Sequence, residues 1–259
     1  MRALIIGYGT VGQATHSLID NGNKIEFRDP KYDDYERQYY ANFDVVFICI
    51  PVTSVDGQQD LEPLKKILKA IKKDADETYE DPKDDPIVVL KSSLLYENVQ
   101  ELMKIYSKVV VNPEFLNENT AFEDVQKQPI ILGGKYSDVA VVKQLYDYSW
   151  TMTHDSVLDF EICSIEQACN FKYVHNLYSI WKMMFWEMVQ DLTHDERKMY
   201  QLYKKFQTPD MAVVGLDGYR GIGGKCFPDN LECTKDKHKL LKAIYEYNKE
   251  LKDEKDKNY

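Results

Sequence analysis

The sharpest chemical feature of the chain is a cysteine closing a glycine run, Gly221-Ile222-Gly223-Gly224-Lys225-Cys226-Phe227-Pro228. Glycines let a backbone pass close to a ligand, and here the thiol is displayed where they end. Pro228 suits the first turn of a helix, which leaves Cys226 near a positive helix terminus that lowers a thiol pKa. That setting favours a nucleophile over a small buried structural cysteine. Lys172 and Asn176 lie one helical turn apart and share a face. They read either as part of a salt bridge or as a cation and an amide aimed at a substrate oxygen. In Asn112-Pro113-Glu114-Phe115-Leu116-Asn117-Glu118 the proline forces an extended exit from a strand and sets Glu114 at its C-terminal edge. By spacing alone Glu114 and Glu118 read first as exposed carboxylates.

A second group sits at the N-terminus. Gly7-Tyr8-Gly9-Thr10-Val11-Gly12 follows a short apolar strand and opens a helix, and Asp29 comes 17 residues after Gly12 at the end of the next strand. The glycines allow a tight turn and a close approach of backbone to a pyrophosphate, which the helix N-terminus stabilises. An acid at Asp29 would bond the ribose hydroxyls and repel a 2′-phosphate, so NAD is expected rather than NADP. The alternative is a glycine turn in some other α/β protein.

The elements that must position these residues follow from periodicity. Apolar runs at 3–6, 25–27, 45–50, 87–90, 109–111 and 130–132 read as strands, with helices expected after the glycine turn, at 61–73 (capped by Asp60), near 98–106 and at 138–148. Residues 74–86, with seven acids, read as a solvated connector. Beyond Trp150 the alternation gives way to helices. Ser164-Ile165-Glu166-Gln167 and Thr193-His194-Asp195-Glu196 read as capping boxes around one long helix at 165–192, and 236–251 reads as a final helix. The expected fold is α/β: a Rossmann-like, doubly wound, mostly parallel sheet at 1–150, then a helical domain at 151–259 carrying Cys226.

With 259 residues and 44% apolar content the chain can build a large core. A net charge of -10 disfavours nucleic acid as a partner. No apolar run is long enough to span a bilayer. The five cysteines include no CxxC pair, so neither disulfides nor a metal site are expected and a reducing cytoplasm is.

In this order the segments 7–12, 47–51, 91–93, 112–118, 172–176 and 221–228 resemble the UDP-glucose/GDP-mannose dehydrogenase family. The resemblance implies that a nucleotide sugar, UDP-glucose-like, has its primary alcohol oxidised to a carboxylate with two NAD reduced. Cys226 would form a thiohemiacetal and then a thioester. Lys172 and Asn176 would stabilise oxyanions, and Glu118 would assist the hydrolytic water. Glu114, Phe115, Leu116 and Gly223 would hold substrate; Pro51, Ser93 (in place of threonine) and Glu118 would join the glycine turn at the cofactor. The long helix corresponds to the family's dimerisation helix, implying a homodimer. There are departures: Asp229-Asn230 replaces Lys-Asp, the stretch between Asp29 and Val45 is short, and the chain ends about 30 residues after Cys226, without the family's C-terminal nucleotide-holding domain. Two other readings remain: a single-step dehydrogenase of the β-hydroxyacid type, which also carries a lysine and asparagine four apart on a long helix, and a non-catalytic NAD-binding dimeric module.

Overall fold

The computed structural model describes residues 1–32, 39–117, 119–193, 195–205, 221–222, 226–237 and 239–255. They form two compact units, residues 1–52 with 61–172, and residues 53–60 with 173–259.

The first unit is built on a seven-stranded sheet of β1 (Arg2–Ile6), β2 (Lys24–Arg28), β3 (Val45–Ile48), β6 (Ile87–Leu90), β7 (Val109–Val111), β8 (Ile130–Gly134) and β9 (Phe160–Cys163). Their order is β2-β1-β3-β6-β7-β8-β9, parallel except where β8 runs antiparallel to β7. β3, β6 and β7 are buried at every residue, as strands covered on both faces must be. Alternation divides their side chains between two cores. Leu4, Ile6, Val46, Ile48, Val88 and Leu90 pack with α2 (Glu62–Thr78) and α3 (Tyr96–Met103). Ala3, Ile5, Val45, Phe47, Ile87 and Val89 pack with α1 (Thr10–Ile19) and α5 (Tyr136–Thr151). A short helix α4 (Ala121–Lys127) precedes β8.

Several sequence expectations are corrected. Asp60 does not cap α2: the N-cap is Leu61, without a side-chain bond, and the helix runs on to Thr78 through the first acids of the supposed connector. Apolar Ala75 sets that extension by packing inward, and Asp85 of the same segment is buried too. The sheet also continues past Trp150, because β9 pairs with β8 from Ile130↔Phe160 to Gly133↔Cys163.

In the second unit, β4 (Ser54–Val55) and β5 (Gln58–Gln59) form a hairpin whose turn residues Asp56 and Gly57 have positive φ of 50° and 77°. The long helix α6 (Ile165–Thr193) begins in the first unit and runs into the second, followed by α7 (Glu196–Lys204), α8 (Cys226–Thr234) and α9 (Lys239–Lys255). Ser164 and Gln167 make the reciprocal capping box expected of them, at 3.0 and 3.1 Å. The second box is different: Thr193 is the last residue of α6, and Asp195 caps α7 by accepting from Lys198 N–H. Ile180, Met184, Ile222, Leu231, Ile244 and Leu251 form this unit's core. No helix among the described residues is long and apolar enough to cross a membrane.

Candidate active site

The ladder of the first unit ends in register. Beyond its last rungs, Gly7 N–H donates to Arg28 O, Cys49 to Ile6 O, Lys91 to Ile48 O and Asn112 to Leu90 O. Asp29, Gly7, Cys49, Lys91 and Asn112 therefore form a row along the C-terminal edge, the edge where open α/β sheets bind ligands. Strand order reverses at β1, so the crevice opens beside the glycine turn. Pro51, Ser93 and Glu114 each lie two residues further out along this edge.

Each glycine of the turn has its own requirement. Gly7 has φ +89°, and a Cβ there would stand 2.8 Å from Cys49 O. At Gly12 a Cβ would stand 2.1 Å from Gly7 O, so only glycine lets α1 pass this close to β1. Gly9 differs, with nothing within 4 Å of its Cβ position. It is the N-cap of α1 and has no side chain to cap with, so Thr10 and Val11 open a helix whose first N–H donors face open space. That arrangement fits a pyrophosphate. Asp29 fits a ribose: its carboxylate accepts from Tyr8 N–H at 2.7 Å and Lys31 N–H at 2.9 Å, which holds it beside the turn. The Tyr8 side chain takes a different place from the one expected, stacking on Phe27 at 3.8 Å and bonding His16 through its hydroxyl.

Glu114 is not the exposed carboxylate that spacing suggested, since its side chain is 12% exposed against 5% for Lys172. The Lys172 ammonium donates to both Glu114 O and Oε1 and lies 5.1 Å from the Phe115 ring centroid. Glu114 also accepts from Leu116 N–H at 2.8 Å, which curls the loop around the pair. Beside them is a residue whose role the sequence did not reveal. Lys91 is buried and donates to Asn112 Oδ1 at 2.9 Å, which Tyr146 OH also reaches at 2.8 Å. Burial pushes the Lys91 ammonium below its ordinary pKa, with Lys172 nearby adding to that and Glu114 opposing it. A lysine ending an apolar strand, Ile-Val-Val-Leu-Lys, was the available signal. Burial also lifts the Cys49 thiol to about 12, which makes it an inert core residue.

Asn176 and Cys226 belong to the second unit. Asn176 is buried, and its Nδ2 is among the few buried polar atoms with no partner in the described structure. Cys226 is the first residue of α8, and Pro228 falls in that helix's first turn as expected. Asp229 cannot simply stand in for a carboxylate one position later: its Oδ1 accepts from Ser54 N–H of the hairpin at 3.3 Å. Asn230 is buried with an unpartnered Nδ2. Glu118 and Gly223 lie outside the described residues.

Residues 31–149 match the UDP-glucose/GDP-mannose dehydrogenase family, NAD binding domain, so this segment is an NAD-binding domain of that family and NAD is its cofactor. No curated protein sequence matches the chain. Among solved structures it is similar to the UDP-D-ManNAc dehydrogenase of Pyrococcus horikoshii, with a TM-score of 0.73 at 14% identity over 97% of this chain and 69% of that one. It is similar also to a UDP-glucose dehydrogenase from Pyrobaculum islandicum (TM-score 0.66, 18% identity, 96% of this chain and 67% of that one). A third is the UDP-N-acetyl-mannosamine dehydrogenase of Staphylococcus aureus (TM-score 0.67, 11% identity, 97% and 68%). These likenesses establish the fold, a mostly parallel Rossmann-like sheet followed by helices.

Proposed function

We propose that this protein oxidises the primary alcohol of a nucleotide sugar, UDP-glucose-like, to the carboxylate in two successive steps on Cys226. The feature that carries this reading is the position of Cys226 as first residue of α8, directly after the glycine run. The positive end of a helix favours the thiolate there. Bound NAD supplies the acceptor for the hydride lost from the substrate carbon in each oxidation.

The chain's own residues divide the remaining work. The Cys226 thiolate adds to the carbonyl carbon of the aldehyde formed first, giving a thiohemiacetal. Its oxygen is held by Asn176, whose buried N–H₂ lacks a partner, and by Lys172. An ammonium has three donors, and Lys172 gives two to Glu114, which leaves one for substrate. Glu114 thereby fixes the lysine, while Phe115, Leu116 and Gly223 shape the substrate pocket. The second oxidation converts the thiohemiacetal to a thioester. Water then attacks the thioester carbonyl, Glu118 takes its proton, and the carboxylate leaves as the thiol is restored. With Asn230 an amide and Asp229 engaged by the hairpin, Glu118 is the base on which hydrolysis relies. Pro51 and Ser93 border the cofactor at the sheet edge.

The enzyme acts as a homodimer in the reducing cytoplasm. Phe171, Val174, Tyr178, Trp181 and Phe185 are exposed on α6 at alternating spacings of three and four residues, the seam that pairs helices. NADH absorbance with NAD and a panel of UDP- and GDP-sugars tests the proposal. Turnover abolished by Cys226→Ser supports it. No NADH from any sugar overturns it in favour of a binding module, and turnover that survives Cys226→Ser selects a β-hydroxyacid-type enzyme.

A further inference from the structure

Four residues before Cys226, the backbone is clamped by two side chains from different helices. Glu187 of α6 accepts from Gly221 N–H through Oε1 at 3.2 Å. Asn248 of α9 accepts from Ile222 N–H through Oδ1 at 2.5 Å. Both acceptors are almost wholly buried, 5% exposed for Glu187 and 7% for Asn248. The Ile222 side chain is fully buried with Ile180, Met184, Leu231, Ile244 and Leu251. Gly221 completes the fit: its φ is +81°, and a Cβ there would stand 2.8 Å from Asn248 Oδ1.

On the other side of Cys226, α8 is fixed as well. Asp229 and Glu232 accept from Ser54 and Gly57 N–H of the hairpin at 3.3 and 3.0 Å, and Leu231 is buried in the core. Cys226 therefore lies between two anchored points, with three residues separating it from Ile222. A surface loop satisfies its N–H groups with water at no cost in burial. Burying a carboxylate and an amide to do so is expensive, and the helices that carry Glu187 and Asn248 gain nothing from it.

We propose that Glu187 and Asn248 are positioning residues that set the place of the Cys226 thiol by holding the two N–H groups at the start of its glycine-rich approach. The proposal rests on Cys226 being the nucleophile. It requires an acceptor oxygen at each position and no charge.

The test compares variants that keep the acceptor with variants that lose it, in the full-length protein. Glu187→Gln keeps it; Glu187→Met and Asn248→Leu remove it at similar volume. Three quantities are read: kcat and KM with a nucleotide sugar, the Kd for NAD, and the rate at which iodoacetamide modifies Cys226, followed by peptide mass. Loss of an acceptor should lower kcat about tenfold to a hundredfold, the scale of a displacement near 1 Å. The Kd for NAD should stay within about twofold, because the glycine turn is untouched, and the rate of Cys226 modification should change. Glu187→Gln should behave as wild type in all three. Should Asn248→Leu fail to fold, Asn248→Ser, too short to reach Ile222 N–H, reads the same effect. Wild-type turnover and Cys226 reactivity in folded Glu187→Met and Asn248→Ser would overturn the proposal, as would a defect in Glu187→Gln equal to that of Glu187→Met. An inactive wild type overturns the function instead, and Cys226 reactivity still decides the clamp.

Discussion

Replacing Gly9 with alanine separates the folding role of the glycine turn from its ligand role. Gly9 has φ -77° and ψ -161°, a backbone that alanine adopts without strain. No atom lies within 4 Å of the Cβ position, so the methyl meets no protein. Folding should lose nothing, and restriction of the unfolded chain should raise stability by about 0.4–1 kcal/mol. The methyl would instead occupy the space that the first N–H donors of α1 face. A hydrogen bond to a charged phosphate oxygen is worth about 1.5–3 kcal/mol, so displacing one should weaken NAD roughly tenfold to a hundredfold. Gly12→Ala is the contrast. Its Cβ would stand 2.1 Å from Gly7 O, a backbone clash that no side chain can relieve. It should lower stability by at least ~1–3 kcal/mol. Calorimetric titration with NAD and urea denaturation of both variants provide the readout. Gly9→Ala binding NAD like wild type, or losing stability, would refute the assignment of this turn to the pyrophosphate.

Further outcomes follow from the same geometry. Lys91→Met should be more stable than wild type near neutral pH, because burial disfavours the charged amine. Since the folded pKa lies below the unfolded one, the unfolded chain holds the extra proton between them. Wild-type stability then gains on the variant as pH rises towards 10.5, by up to ~1.4 kcal/mol per pH unit, in denaturant titrations at pH 7, 9 and 10.5. A pH-independent difference would contradict the buried-charge account. Trp181→Glu should convert a particle of twice the 30.3 kDa chain mass into a monomer by light scattering, with the fold intact by circular dichroism. A monomeric wild type would remove the dimer.

Much of the fold was legible because its signals are local. The apolar runs that became β3, β6 and β7 are buried on both faces, and the box at Ser164 and Gln167 is a bond between near neighbours. What escaped depends on distant partners. β9 has a mixed composition and is a strand only because β8 offers it an edge. The hairpin at 54–59 carries a strong turn signal in Asp56-Gly57, but its strands of two residues are too short to show alternation. At the site, spacing placed Glu114 at a strand edge but could not tell an exposed acid from the buried partner of a lysine 58 residues away. For the same reason Glu187 and Asn248 gave no sign of themselves, since each acts on a backbone N–H far along the chain.

The central claim is that one cysteine supports two successive oxidations, and the ratio of products tests it most directly. A limiting amount of the nucleotide sugar that supports turnover, run to completion with excess NAD, should yield two NADH for each sugar and a sugar carboxylate by mass. One NADH for each sugar, with an aldehyde or ketone as the product, would contradict the account.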